Sequence, residues 1–172
     1  MKNKTTAKAS SPGKQRLIAA VVSSVLILVG LIVFTLKATD HRAELREVLS
    51  TRDNVRLEQL LKAHPGLVEA KLANRNPSDT WGPLHMAACY GNPETIEILL
   101  KHKAKVNAKD ANGLTPLHYT VSLSHYDCAE MLIVKGADKN ATGRDGRTPL
   151  DLAKTTRDKR MIELFRVSGA KE

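Results

Sequence analysis

Apolar positions follow two different rules along this chain. Residues 17–36, LIAAVVSSVLILVGLIVFTL, are twenty consecutive residues without a charge. At about 1.5 Å rise per residue, a helix of that length spans roughly 30 Å, the thickness of a bilayer's hydrocarbon core. From residue 43 onward, apolar residues instead recur at helical spacing between polar ones. Leu45, Val48 and Leu49 share one face, and Leu57, Leu60 and Leu61 another. Ile96, Leu99 and Leu100 form a third face, and Ala129, Leu132 and Ile133 a fourth. This spacing predicts short amphipathic helices, each with one side for a core.

The pattern also repeats at long range. Pro83, Pro116 and Pro149 are 33 residues apart, as are Leu84, Leu117 and Leu150. Leu99, Leu132 and Phe165 keep the same period, and so do Ala104, Ala137 and Ala170, and the pair Asn107 and Asn140. Proline at the first helical position loses no needed N–H and presets φ. Each unit therefore predicts a first helix, a break at Gly91, Ser124 or Arg157, and a second helix. Gly136 and Gly169 fall where a C-cap belongs, and Lys103 takes that place in the earlier unit. Asn112-Gly113 and Asp145-Gly146 have the chemistry of tight hairpin tips.

A 33-residue unit opening on Gly-Pro-Leu-His (82–85), Thr-Pro-Leu-His (115–118) and Thr-Pro-Leu-Asp (148–151) resembles the ankyrin repeat. The resemblance implies an all-α solenoid of helix-turn-helix units with β-hairpin fingers. AELREVLSTRDNVRLEQLLKAHPGLVEAK matches the later units at an offset of 39, with six extra residues in the polar loop ANRNPSDTW. It reads as a degenerate first repeat. The repeats then run over about 43–75, 79–109, 110–142 and 143–172, enough units to stack with the outer two as caps. In the family the Thr hydroxyl and His imidazole tie neighbouring turns together. Gly82 implies that this bond is lost in one unit, and Asp151 that it is modified in the last.

Residues 17–36 read as one transmembrane signal-anchor helix. A cleaved signal peptide is the competing reading, but its apolar region is shorter and ends in a small-x-small site. Here Leu36 stands where a small residue is wanted. The tail 1–16 has no apolar periodicity and reads as a disordered basic segment. It carries Lys2, Lys4, Lys8, Lys14 and Arg16 without an acid, which favours a cytoplasmic N-terminus and an extracytoplasmic repeat domain. Residues 37–42 remain as a short linker.

The net charge of +9 narrows on inspection. Residues 1–38 hold six of the 27 basic residues and no acid, so the rest of the chain is only +3. That argues against a nucleic-acid partner, which needs charge on a folded face. Two cysteines 39 apart form no zinc spacing and no disulfide framework.

His118, His125, Asp127 and Cys128 lie within eleven positions and have the side chains of a metal or nucleophile site. The repeat explains each. His118 is the Leu-His residue, as His85 is. His125 lies in the turn before a second helix, where it caps that helix or is solvated. Asp127 suits the positive end of the helix dipole, and Cys128 and Cys89 are packing residues. No catalytic, cofactor or metal site is expected, and no small-molecule substrate.

Ankyrin proteins generally bind through fingertips and first-helix positions. Carried over by column, that implies Trp81, Leu114 and Arg147 just before the Pro-Leu element. It implies Met86, Tyr119 and Leu152 just after it, continued by Tyr90 and Leu123. Trp, Tyr and Arg concentrate binding energy at interfaces. Trp81 has a second open reading, folding back over the irregular loop of the first unit. The expected function is a membrane-anchored, non-catalytic module for an unidentified protein partner, held in the lipid bilayer by residues 17–36. Two alternatives are a membrane-held accessory or chaperone for an extracytoplasmic enzyme, and a secreted effector acting on host proteins.

Overall fold

The structure, a computed structural model, describes residues 41–73 and 80–170. The basic tail, the apolar segment 17–36, residues 37–40 and the inserted stretch 74–79 lie outside the described residues. Among those described, no helix is long and apolar enough to cross a membrane.

Four helix pairs follow one another. Helix α1 covers residues 41–51, and α2 Asn54–Ala63 is followed by a 3-10 turn Pro65–Glu69. Then come α3 Pro83–Tyr90 and α4 Pro93–Lys101, α5 Pro116–Ser122 and α6 Tyr126–Val134, and α7 Pro149–Thr156 and α8 Lys159–Val167. Helices α3, α5 and α7 pack side by side in one layer, and α2, α4, α6 and α8 in the other. Residues 41 and 42, read from the sequence as linker, already belong to α1.

The residues spaced at helical intervals form the core between the layers. Leu45, Leu49, Leu57, Leu61, Ile96, Leu99, Leu132 and Phe165 are all fully buried. Each such side chain contributes about 1.5–3 kcal/mol on leaving water. Leu100 and Ile133 sit at the margin, half-buried against that core.

The helix ends repeat as closely as the core. After each of the later second helices a left-handed residue stands at one column: Lys103 (φ 72°), Gly136 (89°) and Gly169 (74°). Its N–H donates three residues back, to the carbonyls of Leu100, Ile133 and Arg166. The next N–H, from Ala104, Ala137 or Ala170, donates five back to Leu99, Leu132 or Phe165, at 2.8–3.0 Å. That is the paired closure of a Schellman motif. The leucine, phenylalanine and alanine columns are therefore two ends of one hydrogen bond.

A second left-handed column separates the helices within each pair: Arg52 (φ 59°), Gly91 (64°), Ser124 (55°) and Arg157 (56°). Arg52 precedes Gly91 by the same 39 residues that relate the two leucine faces, so the first helix pair shares the geometry of the others.

The fingers differ from the expected hairpins. Gly113 and Gly146 do adopt left-handed φ, but the segments around them form turns without strand pairing. Asp110 is the cause in the first: its Oδ1 accepts from the N–H groups of Asn112 and Leu114, both at 2.8 Å. Arg144 N–H then donates across to Asn112 O at 2.9 Å, tying finger to finger. The paired strands among the described residues are β1 Leu72–Ala73 and β2 Thr80–Trp81, antiparallel, with Leu72 opposite Trp81.

The left-handed column gives a pair of opposite predictions. A Cβ on Gly91 would lie 2.6 Å from the His125 ring and in a strained φ, so Gly91→Ala is expected to cost about 1–3 kcal/mol. Arg157 is exposed and left-handed, so Arg157→Gly is expected to stabilise by about 1 kcal/mol. Urea midpoints of the two variants check both signs.

Candidate partner-binding face

Each Pro-Leu turn places its fourth residue where it can reach two neighbours. Gly82 N–H donates to His85 Nδ1 at 3.2 Å, and Thr115 N–H to His118 Nδ1 at 3.1 Å. A ring nitrogen that accepts carries no proton, so Nε2 of each ring is the donor. His85 Nε2 reaches Leu114 O at 3.1 Å, and His118 Nε2 reaches Arg147 O at 3.3 Å. Each imidazole thus bolts its own turn to the finger of the next unit. The tie expected to be lost at Gly82 persists, because a backbone N–H makes half of it. What is missing there is the hydroxyl contact that Thr115 Oγ1 makes to His118 Nδ1 at 2.9 Å.

Asp151 keeps only the inward half. Its Oδ2 accepts from Thr148 N–H at 2.9 Å and Thr148 Oγ1 at 2.8 Å, bonds that hold its carboxyl below the usual range. A carboxylate has no second, donating end.

The remaining catalytic candidates are also occupied structurally. His125 neither caps its helix nor points to water alone: its ring lies over Gly91 and its Nε2 meets Cys89 O at 3.0 Å. The reason is that Gly91, with no side chain, leaves the ring a place. Asp127 lies in the first turn of α6, with Arg160 3.9 Å away, and Arg160 stacks 3.6 Å over the Tyr126 ring. Both cysteines are free. Burial, aided by Asp110, pushes the Cys89 thiol up to about 12. Burial with Asp127 and Glu94 pushes Cys128 up to about 11. Thiols held there supply almost no thiolate near neutral pH. Among the described residues, no three of His, Cys, Asp and Glu gather to hold a metal ion.

The expected binding residues divide into groups. Trp81 and Tyr119 meet, ring centroids 4.8 Å apart and tilted at 55°, a geometry worth about 0.5–1.5 kcal/mol beyond area burial. Tyr119 also stands edge-on to His85 at 5.9 Å and donates its hydroxyl to Asp110 Oδ2 at 2.5 Å. The Trp81 ring is half-buried and packs on the core. Its Nε1 is closed off from solvent and meets no acceptor among the described residues. Among the described residues, the indole is held by packing. Leu114 and Leu152 are half-buried, and Tyr90 lends its carbonyl to Arg52 Nη2 at 2.7 Å. Leu123 is 49% exposed, and Arg147 lies 3.5 Å from Asp145 on the last finger.

Met86 is a correction. It is only 7% exposed and belongs to the core, so it offers a partner almost no surface. Its column is half-exposed at Tyr119 and Leu152. Asp110 is the residue that sequence reasoning passed over. It stands at the first position of the turn Asp110-Ala111-Asn112-Gly113, where Asp and a closing Gly are favoured. That turn signal is legible in the sequence, but its bond to Tyr119 is not.

The family model for ankyrin repeats, three copies long, matches residues 52–143. The match covers more than half of the chain, and the chain belongs to the ankyrin-repeat family. Helices α7 and α8 lie beyond the matched stretch yet repeat both left-handed columns through Arg157 and Gly169.

The imidazole ties predict a pH dependence. Burial is the main cause holding both His85 and His118 below the ordinary imidazole range. As pH falls, the unfolded chain therefore takes up these protons first. Stability is expected to be full above about 6.5 and to decline below it. The urea midpoint at pH 5 should lie below that at pH 7.5, and His118→Gln should shrink the difference.

Proposed function

We propose that this ankyrin-repeat chain is a membrane-anchored interaction module that holds a protein partner and has no catalysis of its own. Ankyrin repeats are a protein-interaction architecture, and the observation that carries the reading here is the Trp81–Tyr119 ring pair. It joins the strand before α3 to α5 of the following unit, and two large rings held by packing form a rigid anchor of the kind that concentrates binding energy. Leu114, Tyr90, Leu123, Arg147 and Leu152 extend the same finger and first-helix columns, and the partner touches them around that pair.

The bilayer contact comes from residues 17–36, uncharged over twenty positions. The basic tail remains in the cytoplasm, and the repeats stand on the other side. An anchor of this kind concentrates the module at a membrane, where its partner is expected.

Two measurements test the reading. Photocrosslinking from position 123 in intact membranes should yield a discrete protein adduct. Trp81→Ala with Tyr119→Ala should reduce its yield at least tenfold while helical circular dichroism is retained. An unchanged adduct would remove this face from the proposal. Carbonate extraction should leave the full chain in the membrane pellet, whereas a chain lacking residues 17–36 should be released.

A further inference from the structure

The second helices stack side by side and end along a common edge. Val134 and Val167, the last residues of α6 and α8, are 33 positions apart and 77% and 68% exposed. Large aliphatic side chains left that open at equivalent positions of successive units form a stripe and not an isolated accident.

Lysines frame the stripe. Lys62 lies in the last turn of α2, Lys101 in that of α4, and Lys103 and Lys135 just past α4 and α6. Glu58 bonds both Lys62 (3.5 Å) and Lys101 (3.2 Å), yet it lies beneath them. Their side chains are 67% and 71% exposed, against 31% for the glutamate. Glu97, 3.9 Å from Lys135, offsets one further charge. Glu97 is the more exposed of its pair, 60% against 46% for Lys135; apart from it, the outer layer of the edge is cationic and aliphatic.

The chain enters the folded unit at this same edge. The His41 ring lies 3.9 Å, centroid to centroid, from that of His64, the C-cap of α2. Leu36, where the apolar segment ends, precedes His41 by five residues, a reach of at most about 18 Å.

We propose that this edge docks on an anionic lipid surface. Val134 and Val167 enter the boundary between headgroups and acyl chains, and the four lysines meet lipid phosphates. The inference rests on residues 17–36 being a membrane anchor. It adds an orientation to that reading: the ends of the second helices face the bilayer and the ring pair is left free for a partner.

Spin labels on the full chain test it, at Val134→Cys and Val167→Cys on the edge. Val55→Cys, 71% exposed in the first turn of α2 at the opposite ends of the second helices, is the aqueous control, and Leu26→Cys reports the anchor. The background is Cys89→Ala with Cys128→Ala. In vesicles containing phosphatidylglycerol, oxygen accessibility should place labels 134 and 167 at the lipid boundary and leave 55 in water. Phosphatidylcholine alone should leave all three in water. Lys103→Gln with Lys135→Gln should lower the docked-to-free ratio roughly 25-fold, at about fivefold per basic residue near the surface.

Edge labels in water while label 26 is in lipid would overturn the docking and leave the anchor standing. Label 26 in water would overturn both. Edge labels at the lipid boundary in phosphatidylcholine as well would mean that anionic headgroups do not dock the edge, and edge labels shielded from both water and oxygen would mean that a second copy covers the stripe; either result would overturn the proposal. Should the cysteine-free background not fold, amide exchange on the native chain reads the same difference. Protection of residues 101–106 and 134–139 in the anionic vesicles alone supports the docking, and its absence refutes it.

Discussion

A helix pair of this size cannot cover its own apolar side, and the next pair is the cover. Phe165, Leu132, Leu99 and Leu61, one from each pair, are fully buried in a single core that runs through the stack. The fold is therefore a stack in which every unit depends on its neighbours. Register is the problem such a stack must solve, since helices with similar faces could slide past one another. The two-ended imidazoles of His85 and His118 solve it by linking one turn to a fixed carbonyl of the next finger, Leu114 or Arg147. At the end of the stack there is no following finger in the described structure, and Asp151, with bonds directed only inward, serves there.

The same constraint explains why the residues with the side chains of a catalytic site are held in structural roles. A buried histidine that must accept from one turn and donate to the next is held neutral in one tautomer. His125 fills the space over Gly91, and the thiols of Cys89 and Cys128 are buried in helices and pushed far up. The residues that close no gap between units keep the most exposed surface. Trp81 and Tyr119 are the useful exception: they touch across units, yet remain half-exposed. Rigidity from packing and accessibility meet in that pair.

Two surfaces of the unit thus have separate chemistry. The finger and first-helix columns present aromatic and aliphatic side chains with Arg147 at one end. The edge where second helices finish presents exposed valines framed by lysines. Under the proposed membrane anchoring, such a division lets one surface face lipid while the other stays open.

Much of this was legible in the sequence. Period, helix pairs, buried faces, left-handed breaks and the helix-ending columns all follow from local rules: proline presets a first turn, alternation of apolar residues selects a face, and glycine or its substitutes close a helix. The apolar segment of membrane-spanning length and the basic tail are likewise properties of the chain alone. Contacts between units were not legible, because they depend on how two units rotate against each other. That rotation buried Met86 while leaving Tyr119 and Leu152 of its column half-open. It also brought the His125 ring over Gly91 and bonded Arg144 of one finger to Asn112 of the one before it. Sequence determined each unit and the order of units, since both rest on interactions a few residues apart. Only the tertiary structure decided which side chains remain for a partner, since exposure is settled by what the next unit covers.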